Sequence, residues 1–321
     1  MPPRITTDVA DALRVLRDGG LVAIPTETVY GLAADASNEA AVRRIFAAKG
    51  RPVDHPLIVH VARGAQLADW ADEVPPSAAV LASACWPGPL TVIVPKAAHV
   101  LDVVTGGRPS VGVRVPAHPL TTELLDRFGG GLAAPSANRF GRVSPTTAQH
   151  VLRDLGDLGD LDGGGDDETI GVDLILDGGP CPIGVESTIV DCTVDPAQVL
   201  RPGGIATEEV ERLLHGAVAP ASGPSRASGM LASHYAPRCP VLLASSPAEA
   251  RSIAADQVNP LVIGDPALLD DLVRYAQQLY DLLRRADEDG HGAVVAVLPP
   301  AAGLGHAIRD RLFKAAADRA G

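Results

Sequence analysis

The chain has 321 residues, 46% of them apolar but only 3% aromatic, and a formal net charge of −12. That length suits two domains, and that apolar content sets disorder aside and leaves aliphatic side chains to fill the core. No apolar run reaches membrane-spanning length, the charged start (Arg4, Asp8, Asp11, Arg14) is not a secretory signal, and the acidic balance offers no basic stripe for stable nucleic-acid binding.

Leu21 to Ile24 reads as a buried strand, and Pro25-Thr26-Glu27-Thr28-Val29-Tyr30-Gly31-Leu32 after it lies where α/β folds expose functional loops. A helix from about Glu39 to Ala48 ends in Lys49-Gly50-Arg51-Pro52. Two cations on a loop suit a polyanion, Lys as a point charge and Arg as a fork. They equally suit a helix C-terminus, with Gly after it. Only three lysines occur, Lys49, Lys96 and Lys314, which leans toward a specific task for Lys49.

Further apolar runs at 57–61, 90–94, 111–115 and 132–134 read as strands. The last leads into Ser136, Asn138 and Gly141-Arg142-Val143-Ser144-Pro145. Ser144 before Pro145 is an N-cap with a first-turn proline, and a helix N-terminus also binds phosphate. Asp154 to Asp173 holds eight acidic residues and no base around Gly163-Gly164-Gly165. This reads as a flexible surface insertion and fits no calcium loop. Runs at 172–176 and 188–191 complete one large α/β domain, 1–215, around a twisted open sheet.

Residues 216–238 are rich in Ala, Pro, Ser and Gly and read as a linker. From 239 to 321 strands near 240–244, 260–264 and 293–298, with helices between them and at 303–319, predict a small Rossmann-like α/β/α domain. It has no Gly-x-Gly-x-x-Gly after its first strand, and the chain has no P-loop. Cys85, Cys181, Cys192 and Cys239 show no Cys-x-x-Cys spacing, as in reduced cytoplasmic proteins without a disulfide framework or zinc site.

Lys49-x-Arg51 with Ser136-x-Asn138 resembles the signature of the YrdC-like threonylcarbamoyl-AMP synthases. Pro25–Leu32, Trp86–Thr91, Val111–Pro116 and Glu186–Asp191 agree. Arg201-Pro202-Gly203, Gly229-Met230, His234-Tyr235-Ala236-Pro237 and Arg311-Leu312-x-Lys314 resemble the two-domain branch. The resemblance implies that L-threonine, bicarbonate and ATP become threonylcarbamoyl-AMP with release of pyrophosphate. It implies Mg²⁺ carried with the ATP and no metal ligand from the protein. The product would pass to a tRNA threonylcarbamoyl transferase.

On the ATP side the resemblance places Lys49, Arg51, His55, Ser110, Ser136, Asn138, Ser144, Arg201 and Tyr235, with the linker folding over the site. On the threonine side it places Thr28, His60, Arg114, Ala134 and Thr188. Other readings stand beside these: a buried ion pair for Arg114, a satisfied core histidine for His60, a plain strand position for Thr188 and linker packing for Tyr235. His55 stands where the family usually has Asn, and Ser228 where a Pro often precedes Gly-Met. A carbamoyltransferase and a non-catalytic RNA-binding module are the competing functions. The first is opposed by the chain's length and lack of zinc motifs, the second by its acidic charge and intact Lys-x-Arg and Ser-x-Asn pairs.

Overall fold

A computed structural model describes residues 3–156, 171–221 and 234–317. The centre of the acidic stretch, 157–170, and residues 222–233 of the linker, Ser228 among them, lie outside the described residues. The strands are β1 (Arg4–Thr6), β2 (Val22–Ile24), β3 (Gly31–Asp35), β4 (Ile58–His60), β5 (Leu90–Pro95), β6 (Ser110–Arg114), β7 (Leu132–Ala133), β8 (Leu174–Leu176), β9 (Thr188–Asp191), β10 (Gln198–Arg201) and β11 (Ala219–Pro220). They form one mixed sheet in the order β1-β8-β2-β3-β7-β4-β6-β5-β9-β10-β11. The short β1, β3 and β10 escaped the sequence reading. Gly31-Leu32-Ala33-Ala34-Asp35 is too small in its side chains to announce a strand.

A second sheet, β12 (Val241–Ala244), β13 (Pro260–Ile263) and β14 (Ala293–Val297), runs in the order β12-β14-β13 with all pairs parallel. Its central strand is buried throughout, as a strand covered on both faces must be. Val294 and Ala296 pack with Tyr275, Leu279, Ile308 and Leu312 from the helices Leu272–Glu288 and Leu304–Ala316. Val295 and Val297 pack on the opposite face with Ala250. The chain is thus a large twisted-sheet α/β domain followed by a small Rossmann-like one. No helix among the described residues is long and apolar enough to cross a membrane.

Two local readings change. The acidic stretch is anchored at its ends. Asp154 accepts from the Arg284 guanidinium at 3.0 and 2.6 Å, and Asp173 accepts from Leu21 N at 2.6 Å and from Arg44. Residues 219–220, which read as linker, pair as β11 with β10. The helix Glu39–Lys49 behaves as its sequence dictates. Asn38 caps its start by accepting from Ala41 N, and Gly50 ends it at φ 61°, with Arg51 N donating to Phe46 O at 2.9 Å.

Candidate active site

Strand ends from across the large sheet converge on one narrow cavity of about 50 Å³. The helix Glu39–Lys49 and the loop after it bring Lys49 and Arg51, β4 brings Ile58 and His60, and β6 ends in Arg114. Ala134, Pro135 and Ser136 follow β7, Glu186 and Ser187 precede β9, and β10 ends in Arg201. His234 and Tyr235 close the cavity from the linker side. Tyr235 sits at φ 63°, a backbone region unusual for a side chain this bulky.

Four cations in this wall are nearly excluded from water: Lys49, Arg51, Arg114 and Arg201. Lys49 Nζ donates to two carbonyls, Ser136 O and Asn138 O, each at 2.5 Å. Burial, then the neighbouring Arg51 charge, holds its ammonium well below the usual lysine value. Arg51 donates to Pro56 O at 3.0 Å, lies 5.8 Å from the Phe140 ring centre, and is lowered to about 10, chiefly by burial. Arg201 grips Ser187 O through Nε at 3.1 Å and Nη2 at 2.8 Å, and Ser187 Oγ lies 2.8 Å from Thr91 Oγ1. A buried ammonium that faces carbonyl oxygens, as Lys49 does, is suited to an anion.

The carboxylate in the wall, Glu186, faces the other way. Its Oε1 accepts from Ser144 Oγ at 2.6 Å, and its Oε2 accepts from Tyr280 OH at 2.7 Å and Arg311 Nε at 2.9 Å. Burial pushes its carboxyl up, but Arg311, Arg201 and these donors prevail and bring it to about 2. Arg311 also lies 5.3 Å from the Tyr235 ring, which stacks on Tyr280 at 5.7 Å, and His234 N donates to Lys314 O at 3.1 Å. The C-terminal domain therefore holds the cap from behind.

Eight residues singled out from the sequence line the cavity: Lys49, Arg51, His60, Arg114, Ala134, Ser136, Arg201 and Tyr235. His60 is buried, its Nδ1 has no hydrogen-bond partner among the described residues, and burial lowers it to about 3. It is a neutral imidazole beside Arg114, its partner in strand register.

The other six stand behind or away from the wall. Thr28 is fully buried and spends its Oγ1 on Thr26 at 2.8 Å and Arg114 at 2.9 Å. Asn138 reaches the site through its backbone oxygen, while its Nδ2 donates to Arg139 O and Arg142 O at 2.8 Å. Ser144 caps no helix. That role falls to Thr147, ahead of Ala148–Val151, and Ser144 serves Glu186 instead. Thr188 exchanges hydrogen bonds with Ile205, donating at 2.6 Å and accepting at 2.9 Å. His55 packs edge-on against Phe140 at 5.4 Å, and burial followed by Arg51 lowers its pKa. Ser110 sits opposite Pro95, at the far end of β6 from Arg114.

Thr26, Phe140, Glu186, Ser187 and His234 line the cavity without having been singled out. Their signal was position alone: Thr26, Glu186, Ser187 and His234 lie inside motifs already quoted, and Phe140 lies between Asn138 and Gly141. Among the described residues no three His, Cys, Asp or Glu side chains gather to hold a metal ion.

Residues 14–203 match the family model described as "Telomere recombination" (Sua5_yciO_yrdC), and residues 205–317 match "Threonylcarbamoyl-AMP synthase, C-terminal domain". The chain belongs to the threonylcarbamoyl-AMP synthase family. It is 40% identical to the threonylcarbamoyl-AMP synthase of Pyrococcus abyssi, over 95% of this chain and 92% of that one. It is 39% identical to the Bacillus subtilis enzyme of the same name, over 97% and 93%. Its fold superposes on P. abyssi Sua5 complexed with L-threonine at a TM-score of 0.86, with 37% identity over 98% of this chain and 97% of that one. Among threonylcarbamoyl-AMP synthases it is therefore of the two-domain kind, matched along its whole architecture.

Proposed function

We propose that this chain joins L-threonine, bicarbonate and ATP into L-threonylcarbamoyl-AMP and releases pyrophosphate. The observation that carries the reading is the set of four buried cations around one cavity, two at a helix C-terminus and two on strand ends, in a chain whose full-length relatives bear that activity in their names. The threonine amine bonds to the carbon of bicarbonate as a C–O bond to that carbon breaks, and the departing oxygen leaves as water with a proton from the nitrogen, which gives a carbamate. A carbamate oxygen then forms a bond to the α-phosphorus of ATP as the bond from that phosphorus to the pyrophosphate oxygen breaks.

The carbamate is itself the nucleophile, so the protein has to position the reactants and stabilise charge, as in phosphoryl transfer generally. Lys49, Arg51 and Arg201 are suited to the phosphates, with Ser136 and Tyr235 beside them. Arg114, the neutral His60 and the backbone at Ala134 suit the amino acid. With Glu186 committed to Arg311 and Tyr280, a Mg²⁺ ion would ride on the phosphate oxygens and water and help neutralise the leaving pyrophosphate. Its addition or removal by chelation tests that expectation.

The cavity is far below the roughly 300 Å³ or more of a typical small-molecule site. Admission of ATP by movement of the His234–Tyr235 cap fits so narrow a cavity. We place the chain in the cytoplasm, in keeping with four cysteines that form no disulfide. Its product is a reactive mixed anhydride suited to a transferase acting on tRNA. The deciding experiment measures pyrophosphate release with each substrate omitted in turn. Release that needs threonine, bicarbonate and ATP together is the expected outcome, and release indifferent to threonine would sink the reading.

A further inference from the structure

Glu27 is buried beside the cavity, and the chemistry above gives it no role. It lies in the loop between β2 and β3, and both of its oxygens are used. Oε1 accepts from Arg114 Nη2 at 2.6 Å, and Oε2 accepts from Ala117 N at 2.9 Å. Burial pushes this carboxyl up, but Arg114 and the Ala117 N–H outweigh that and leave it below the ordinary glutamate value. Glu27 is therefore a fixed anion held at two points, one of them backbone.

The donors of Arg114 can be counted. A guanidinium has five N–H groups. Nε donates to Gly88 O at 3.3 Å, and Nη2 donates to Glu27 Oε1 and to Thr28 Oγ1 at 2.9 Å. Thr28 is itself set by Thr26 Oγ1, which donates to Val29 O at 2.6 Å. Three donors are spent on holding the guanidinium plane. The two left are both on Nη1, which has no hydrogen-bond partner among the described residues, and Arg114 lines the cavity.

We infer that Glu27 is a positioning residue that locks Arg114 so that only its Nη1 edge is presented to the carboxylate of the amino-acid substrate. This rests on the amino-acid role proposed for Arg114. The carboxylate would then bind end-on to Nη1 and not as a two-nitrogen fork, because a fork would need Nη2 to release Glu27 or Thr28. The same lock leaves the Arg114 charge largely balanced, so the amino acid is recognised by direction more than by net charge.

The test is the affinity of the full chain for L-threonine by calorimetry, which needs no turnover, paired with KM values for threonine and ATP. Glu27→Ala should weaken threonine binding about tenfold or more, with KM for ATP held within about twofold. Glu27→Gln keeps a carbonyl oxygen for Nη2 and should return threonine affinity to within about threefold of wild type. A folded Glu27→Ala chain that binds threonine normally, or loses both substrates equally, overturns the inference. So does a Gln variant as damaging as Ala. If the Ala variant does not fold, the Gln variant decides alone, a tenfold loss being the overturning result. Failure of the proposed reaction would appear separately, as wild-type pyrophosphate release that ignores threonine.

Discussion

The two ends of the cavity carry the same kind of charge under different terms. At the Arg114 end the guanidinium is matched by Glu27, a carboxylate 2.6 Å away. At the Lys49 end the hydrogen-bond partners of the ammonium among the described residues are the carbonyls of Ser136 and Asn138, and Arg51 stands close by. Burying a cation against dipoles leaves its desolvation cost partly unmet. The Lys49 end is thus stabilised further by any polyanion that enters, whereas the Arg114 end is settled beforehand. The difference matches the proposed substrates: a zwitterionic amino acid needs orientation, a triphosphate needs charge.

The largest effect should come from breaking the unbalanced end. Lys49→Ala or Arg51→Ala is expected to lower pyrophosphate release by about 10²–10³-fold, the usual cost of removing one transition-state contact. A loss under tenfold in steady-state assays would count against the phosphate role.

Acid should next expose the neutral imidazoles. His60, His150 and His234 are each lowered to about 3, first by burial. In the unfolded chain they take up protons below about 6.5, while in the folded chain they stay neutral down to about 3. The stability they contribute is present above the unfolded value and declines as pH falls through that window, by at most about 1.4 kcal/mol per pH unit per histidine. Glu186, at about 2 when folded, adds to the decline below about 4.5. Denaturant midpoints between pH 7 and 4 check this, and a flat profile would contradict it.

Tyr280→Phe removes one donor to the buried Glu186 and should destabilise by about 1–3 kcal/mol in thermal unfolding. Because Tyr280 also stacks on Tyr235, a modest rise in KM for ATP should accompany it, sharpening the link between cap and phosphate end. The smallest effect is expected at Thr188→Val. It loses an exchange of hydrogen bonds with Ile205, worth about 0.5–1.5 kcal/mol of stability, and kinetics should stay near wild type. A large kinetic defect there would return Thr188 to the site.

Continuous apolar runs determined most of the strands by themselves, since burial of a strand on both faces writes itself into consecutive residues. The Lys49-Gly50-Arg51 end of a helix was legible as a cap and as a cation pair, and it is both. Which hydroxyls face the cavity was not legible. Ser144, Thr188 and Thr28 are polar residues in the right motifs, yet each is consumed by a partner far away in sequence or by a buried arginine: Glu186, Ile205 and Arg114. A motif fixes where the backbone passes, and a side chain's direction there depends on which distant donor or acceptor reaches it first. For the same reason Glu27 and Arg311, ordinary charges in the sequence, became buried partners only when β6 met the β2–β3 loop and the last helix met Glu186. The sequence determined the elements and their chemistry. The tertiary structure decided which of those groups remained free to meet a substrate, because hydrogen-bond capacity is finite and folding uses it first.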